Sequence, residues 1–415
     1  MSTGRRQAIT QKPAINSRDT TLLFATRITR LFAYGLLSVV LSLYLAAIGF
    51  SEAQIGLLFT LSLAGDAGIT LWITTIADRV GRRRMLTLGA VLMTFAGMTF
   101  LLTRDPVLLI AAAIIGVISP SGNEIGPFLS IEQAGLAELI PSSRRTIVFA
   151  WYNLLGLFAT AVGALTGGWL ATGLQSAGWS QPDSFRVVLA GYALAGFVLA
   201  LCFANTSGAI EAQSRTVAHP RSLGLHKSRG VIFRLSSLFA LDAFAGGFIV
   251  QSLLAYWFYV RYGLDVAVIG SIFFGANLLA GLSSLLAAPL SKKFGLINTM
   301  VFTHIPSNVL LILVPLMPSL SLAVLVLLLR FSISQMDVPT RQSYVVAVVS
   351  ADERSAAAGV ASIARSVGAA ISPALAGLLM SMPTLLNAPI FLSGGLKIVY
   401  DLLLYHEFRS VQPLE

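Results

Sequence analysis

Long apolar stretches alternate with short polar loops along almost the whole chain. An apolar stretch of about 20 residues can cross a bilayer as a helix, and a helix satisfies its own backbone hydrogen bonds in lipid. The pattern therefore predicts an all-α integral membrane protein. Its twelve predicted transmembrane helices cover approximately residues 20–49, 53–76, 85–103, 107–138, 146–173, 185–205, 230–260, 266–290, 296–316, 319–349, 355–380 and 386–405.

Basic residues favour alternate loops of this pattern. The densest block of charge is Asp78-Arg79-Val80-Gly81-Arg82-Arg83-Arg84, between helices two and three. If the N-terminus lies inside, the outer loops hold only Arg104, Arg186 and Arg261. Because Lys and Arg are retained in cytoplasmic loops, the pattern predicts that both termini are cytoplasmic. We expect a multi-pass protein of the plasma membrane, the inner membrane of a bacterium.

Composition agrees with a membrane protein and excludes other classes. Of 415 residues, 56% are hydrophobic and 11% are charged, and the mean hydropathy is +0.81, whereas soluble domains carry about 25% charged residues. The net charge of +10 could suggest nucleic-acid binding, but the basic residues are distributed over separate loops, so we expect no nucleic-acid partner. The single cysteine, Cys202, excludes an intramolecular disulfide. The first twenty residues lack the pattern of a cleaved signal, which predicts an uncleaved first helix.

The chain divides into two similar halves. The predicted organisation is a cytoplasmic N-terminal tail (1–19), a six-helix bundle (20–205), a cytoplasmic linker (206–229), a second six-helix bundle (230–405) and a cytoplasmic C-terminal tail (406–415). An ungapped offset of 209 residues places Glu132 over Arg341, Arg145 over Arg354, and Gly168 over Gly377. Internal duplication of a membrane protein indicates a transporter whose substrate binds between the two halves, near the midplane.

The loop between helices two and three carries a family signature. Residues 74–83 read Thr-Thr-Ile-Ala-Asp-Arg-Val-Gly-Arg-Arg, which is similar to the Gly-x-x-x-Asp-Arg-x-Gly-Arg-Arg/Lys motif of the major facilitator superfamily, with Thr74 in place of the leading glycine. Over nearly its whole length the chain resembles that superfamily, which implies two pseudo-symmetric six-helix bundles. Residues 163–168 (Gly-Ala-Leu-Thr-Gly-Gly) resemble the Gly-Pro-x-x-Gly-Gly motif of its antiporter branch but lack the proline. Close helix packing by small residues is the alternative explanation.

The resemblance also implies a cytoplasmic gate. Asp78 would face the start of helix eleven around Ser355, and Arg82 would pair with an acid at the end of helix four, for which Glu138 is the candidate. The predicted gate residues are Asp78, Arg79, Gly81, Arg82, Glu138, Arg145 and Arg354. The alternative is that the arginines only determine topology.

Ionisable residues inside predicted helices are costly, so each is a functional candidate. Most of them fall on helices one, four, seven and ten, which the resemblance places around the central cavity. Pro339 in helix ten, and Pro120 and Pro127 in helix four, predict breaks near the midplane. The predicted substrate-cavity residues are Arg27, Arg30, Tyr34, Glu124, Glu132, Asp242, Arg330, Asp337 and Arg341. The spacing of Arg330, Asp337 and Arg341 places them on one helical face.

Pairing predictions follow from these positions. Glu132 and Arg341 are equivalent in the two halves, so we expect them to pair or to be bridged by a charged substrate, with a purely structural pair as the alternative. Asp66 and Asp242 have no cation nearby in sequence and are the candidates for proton coupling. Lys397 and Asp401 are expected to form a structural salt bridge between positions i and i+4.

The leading hypothesis is a secondary transporter that works by alternating access and exports small organic molecules, drug-like or metabolic, in exchange for protons. The first alternative is a symporter or uniporter for organic anions, and the second is a membrane sensor without transport. We expect no enzyme activity, metal site or cofactor, since the sequence contains no nucleophile motif, metal-ligand spacing or nucleotide loop. The expected partners are the substrate, protons and the lipid bilayer, and the expected oligomeric state is a monomer.

Overall fold

The structure is a computed structural model that describes residues 17–122, 127–141, 144–211, 226, 228–350 and 353–411. Every regular element in these ranges is a helix. In the first half they are α1 (Ser17–Ala47), α2 (Glu52–Val80), α3 (Arg82–Leu102), α4 (Pro106–Ile115), α5 (Phe128–Leu139), α6 (Arg145–Ser176) and α7 (Gln181–Ala204). In the second half they are α8 (Arg229–Gly247), α9 (Gln251–Tyr262), α10 (Val266–Leu285), α11 (Ala287–Phe294), α12 (Leu296–Leu313), α13 (Leu320–Phe331), α14 (Asp337–Ala347), α15 (Arg354–Met380) and α16 (Ala388–Phe408).

Ten helical segments of the described residues are long and apolar enough to cross a membrane. The fourth and tenth spans are each divided into two shorter helices, α4 with α5 and α13 with α14. The predicted fold, twelve spans in two six-helix bundles, is therefore confirmed. Most of the predicted linker 206–229 and all of Glu124 lie outside the described residues.

The break in span four contains both predicted prolines, and the break in span ten precedes the helical turn that contains Pro339. Pro120 lies between α4 and α5, and Pro127 immediately precedes α5. Pro339 lies in the first turn of α14, where a missing backbone N–H costs no helical hydrogen bond. Because α13 ends before α14 begins, Arg330 does not share a continuous helical face with Asp337 and Arg341, and that prediction is wrong.

Span seven contains a third break, which the sequence analysis did not predict. α8 ends at Gly247 and α9 begins at Gln251. A Cβ on Gly247 would lie 2.2 Å from Ser372 Oγ and 2.6 Å from Ala369 O, so only glycine permits this approach of α8 to α15. Beyond the break, the backbone N–H of Ser252 donates to Pro120 O of the first half at 2.9 Å. The break therefore supplies a backbone contact between the two halves.

The two ends of the bundle differ in how the halves meet. We call the end at which α1 and α6 begin and α2 ends the basic end, because it carries residues 79–84, and the other end the opposite end. Toward the opposite end, α2 crosses α15 and α6 crosses α10. Tyr256 OH donates to Glu52 Oε1 at 2.7 Å, and Ala267 N donates to Thr172 Oγ1 at 2.9 Å. These bonds join the halves at the opposite end.

Each crossing contains a pair of facing glycines. A Cβ on Gly56 would lie 2.3 Å from Pro373 O, and one on Gly377 would lie 2.2 Å from Glu52 O. At the other crossing, a Cβ on Gly168 would lie 2.5 Å from Val266 O, and one on Gly270 would lie 2.6 Å from Ala164 O. We call these four glycines the glycine seam. Gly168 and Gly377, which the internal repeat makes equivalent, thus perform the same packing role in α6 and α15.

Candidate functional site

In the first half, a buried carboxylate is fully engaged by neighbouring donors. Arg30 Nη1 donates to Glu132 Oε1 at 2.8 Å and Arg30 Nη2 to Oε2 at 2.6 Å, so the pair is bidentate. Thr26 Oγ1 donates to Oε1 at 2.9 Å, and the hydroxyl of Tyr152 donates to Oε2. All four residues are buried. We call Arg30, Glu132, Thr26 and Tyr152 the N-terminal cluster.

Arg27 lies beside this cluster. Its guanidinium carbon is 4.8 Å from the centroid of the Tyr152 ring, and Nη2 donates to Asn153 Oδ1 at 3.4 Å. Arg27 therefore places a second cation beside the pair of Arg30 and Glu132. Tyr34, which was predicted to line the cavity, has no exposed surface in this structure.

In the second half, Asp242 is surrounded by cations from three helices. Lys397 Nζ lies 2.6 Å from Asp242 Oδ1, while Arg365 Nη1 and Arg341 Nη1 lie 2.9 Å and 3.2 Å from Oδ2. Arg341 Nη1 also lies 2.9 Å from Asp337 Oδ2. We call these five residues the C-terminal cluster. Asp242, which has no cation nearby in sequence, thus finds its partners on α14, α15 and α16.

The cations of the C-terminal cluster outnumber its carboxylates by three to two. Arg365 has the most accessible side chain, at 34% exposure, whereas that of Asp242 is 4% exposed. The accessible group of the cluster is thus a cation held in place by a buried carboxylate. The residues predicted from the sequence to line the cavity do not include Arg365. The signal was an arginine in the middle of an apolar helix.

The predicted pair of Glu132 and Arg341 is wrong for this structure. Glu132 pairs with Arg30 of its own half, and Arg341 pairs with Asp242 and Asp337 of its own half. The equivalent positions of the repeat therefore hold two separate clusters, one in each half. Arg330 is buried in α13, with its guanidinium carbon 4.7 Å from the Phe331 ring centroid.

A second buried group in the second half was missed. Asp401 Oδ1 lies 2.9 Å from His304 Nδ1, and Asp401 Oδ2 accepts from Asn308 Nδ2 at 3.1 Å. Because Lys397 contacts Asp242 instead, the predicted salt bridge between Lys397 and Asp401 is wrong. Single polar residues such as His304 carry no sequence signal of a partner on a distant helix. Asp66 is half-buried on α2, and its role in proton coupling remains a prediction.

At the basic end, Arg82 connects several elements of the first half. Its Nε lies 2.8 Å from Asp78 Oδ1 and its Nη1 lies 3.8 Å from Glu138 Oε1. The pair of Arg82 and Glu138 expected from the family resemblance is therefore present. Gly81 joins α2 to α3 with φ of 114°, a backbone conformation that favours glycine. Asp78 pairs with Arg82 of the same half, and the side chain of Ser355 lies outside the described residues.

Two carboxylates that were not predicted bind helix N-termini at this end. Glu211 accepts from the backbone N–H groups of Arg82 at 2.6 Å and Arg83 at 3.3 Å, where α3 begins. Glu353 accepts from Ser228 N at 3.1 Å, immediately before α8. Both places favour negative charge because of the helix dipole.

The predicted gate residues Arg145 and Arg354 differ in their surroundings. Arg145 donates to Ala137 O at 2.7 Å and to Ile140 O at 3.3 Å, so it binds the carbonyl groups at the end of α5. Arg354 and Arg79 are exposed.

Comparisons with known proteins agree on the family. Residues 23–373 match the sequence model of the Major Facilitator Superfamily. The uncharacterized membrane protein YJR124C of Saccharomyces cerevisiae is 31% identical, and the alignment covers 95% of each chain. Among solved structures, a bacterial homolog of the human lysosomal transporter Spinster, in an inward-facing and occupied conformation, superposes with a TM-score of 0.74 at 17% identity over 97% of this chain and 99% of that one. The D-xylose-proton symporter superposes with a TM-score of 0.71 at 16% identity over 95% and 98%.

Proposed function

Since the chain belongs to the major facilitator superfamily, and is thus a membrane transporter that works by alternating access, we propose that its substrates are small organic anions and that transport is coupled to protons. The halves 20–205 and 230–405 move against each other, and the glycine seam is the gate between them at the opposite end. The structure, which is closed by the seam at the opposite end, represents the form that exchanges substrate at the basic end. We assign the basic end to the cytoplasm and the protein to the plasma membrane, following the distribution of Lys and Arg.

The observation that carries the substrate class is the accessible guanidinium of Arg365, because both carboxylates of the C-terminal cluster are buried. Three cations face two carboxylates, and the most accessible of them is Arg365. Two like unit charges 4 Å apart repel each other by about 4 kcal/mol at an effective dielectric constant of about 20. A lipophilic cation next to Arg365 would bear this cost, whereas a carboxylate or phosphate group would gain a charge-assisted hydrogen bond.

The structure supports the export of drug-like molecules, the leading hypothesis from the sequence, less well than the transport of organic anions. Its sequence argument was the partial antiporter motif at residues 163–168. In the structure, Gly168 packs against the backbone of α10, with Val266 O 2.5 Å from the place of a Cβ. Close helix packing, the alternative explanation, accounts for this glycine without reference to the direction of transport.

Proton flux in proteoliposomes tests the proposal. The purified chain is reconstituted with an internal pH-sensitive dye, and an imposed pH gradient is followed after addition of benzoate, citrate, glucose or tetraphenylphosphonium. We expect faster proton movement with benzoate or citrate than in protein-free liposomes, which correct for benzoic acid that crosses the bilayer by itself, and none with glucose. A response to tetraphenylphosphonium alone would restore the exporter hypothesis. Silence with all four compounds, from protein shown to be folded, would favour a sensor without transport.

A further inference from the structure

The His304–Asp401 pair lies in spans nine and twelve, outside the four spans that carry most of the predicted cavity residues. His304 and Asp401 are 5% and 1% exposed. Their closest polar atoms, Nδ1 and Oδ1, are 2.9 Å apart, and Asn308 holds the second carboxylate oxygen at 3.1 Å. The imidazole ring also makes a T-shaped contact with the ring of Tyr400, with ring centroids 6.1 Å apart. Histidine is the side chain whose ordinary titration falls between about pH 5 and 8, so this buried pair is chemically suited to exchange a proton.

Lys397 connects the pair to the C-terminal cluster. It lies four residues before Asp401 on α16, and its Nζ is 2.6 Å from Asp242 Oδ1. Charged groups reach this region from five helices. They are Asp242 on α8, His304 on α12, Asp337 and Arg341 on α14, Arg365 on α15, and Lys397 and Asp401 on α16.

The charge of this set depends on His304. With neutral His304, three carboxylates (Asp242, Asp337 and Asp401) balance three cations (Arg341, Arg365 and Lys397). A proton on His304 gives the set one net positive charge. An anion bound beside Arg365 would then be neutralised by a proton that lies outside the substrate cavity.

We propose that the His304–Asp401 pair is the proton-binding site of the transporter, and that Lys397 and Asp242 link it electrostatically to an organic anion held at Arg365. This inference rests on the proposed transport of organic anions. It adds the residues that bind the proton and the direction in which proton binding changes the affinity for the anion. Because coupling between two binding sites is reciprocal, the proton strengthens binding of the anion and the anion strengthens binding of the proton. One proton and one monovalent anion would cross together without net charge.

Nuclear magnetic resonance of the imidazole nitrogens tests this site without requiring transport. The chain contains only four histidines, so solid-state spectra of ¹⁵N-histidine-labelled protein in liposomes are simple, and His304→Gln identifies the signal of interest. Spectra are recorded between about pH 5 and 8, the interval in which histidine ordinarily titrates, and the proposal requires a change in the His304 signal within it. Asp401→Asn should move the midpoint by at least about one pH unit. His406→Gln, an exposed change on the same helix, should leave the His304 signal unchanged.

Two results would overturn the proposal. One is a His304 signal that keeps a single protonation state across this range, and the other is a titration that Asp401→Asn does not move. Benzoate and citrate added at fixed pH should increase the protonated fraction of His304, and an unchanged fraction would refute the coupling. If His304 titrates and depends on Asp401 while proteoliposomes transport none of the four test compounds, the proton-binding site stands and the proposed substrate class fails.

Discussion

Substitution of a seam glycine by alanine should shift the protein toward the form that is open at the opposite end. At Gly377 the new Cβ would lie 2.2 Å from Glu52 O, which is about 1.2 Å inside the 3.4 Å where ordinary van der Waals contact begins. The clash is with backbone and cannot be relieved by a side-chain rotation. Overpacking of a close contact costs about 1–3 kcal/mol, which corresponds to a shift of about 5- to 150-fold between the two forms.

Cysteine labelling measures this shift. The native Cys202 is first replaced by serine, and Ser252→Cys then places a thiol in the contact between the halves, where Ser252 has no exposed surface. Gly377→Ala should increase the rate of maleimide labelling at position 252 by roughly the factor above. Gly359→Ala is the matched control on the same helix, because its Cβ would meet nothing within 4 Å. Equal labelling rates for the two alanine variants would refute the assignment of the seam as the closed gate.

Three further changes test the clusters and the basic end. Glu132→Gln removes the counter-charge of the buried Arg30, so we expect a loss of about 3–5 kcal/mol of stability, seen as a lower melting temperature in detergent. The control Asp183→Asn, in an exposed ion pair, should cost less than about 1 kcal/mol. Equal losses would contradict a stabilising role for the buried pair. Arg365→Gln should weaken benzoate binding by about tenfold or more, since a hydrogen bond to a charged group contributes about 1.5–3 kcal/mol; unchanged affinity by calorimetry would place the anion elsewhere. Asp78→Asn should impair transport far more than Lys292→Gln, because Asp78 forms an ion pair with Arg82. Equal transport rates would indicate that the basic stretch 79–84 only determines topology.

Features encoded by neighbouring residues could be predicted from the sequence. The spans follow from runs of apolar residues, and the breaks in spans four and ten follow from prolines. The pair of Arg82 and Glu138 was reached through the family resemblance, because the motif fixes the position of Arg82. The break after Gly247 was missed, since its cause is the close approach of α15 and not a local breaker.

The partners of buried charges could not be predicted. Asp242 meets cations that are 99, 123 and 155 residues away in sequence. Local sequence suggested that Lys397 would pair with Asp401, but α8 and α12 offer each of them a closer partner across the bundle. Tertiary packing thus overrode the pairing that helical spacing favoured.

The carboxylates of Glu211 and Glu353 illustrate a different limit. Both lie at the ends of polar stretches, where charged residues are normally solvated, and nothing in their immediate sequence distinguishes them. Their role depends on the N-termini of α3 and α8, which the fold brings to them. An acidic residue in a loop at the basic end can therefore act as a helix cap for a helix that is distant in sequence.

Counterflow of benzoate or citrate is the measurement that tests transport by alternating access most directly, since it needs neither a pH gradient nor knowledge of the direction of transport. Proteoliposomes are loaded with the unlabelled anion and diluted into a trace of the radiolabelled form. We expect transient accumulation of the label, reduced strongly by Arg365→Gln and unaffected by His406→Gln. Absence of accumulation with both anions, together with counterflow of tetraphenylphosphonium or glucose, would contradict an anion-binding site at the C-terminal cluster.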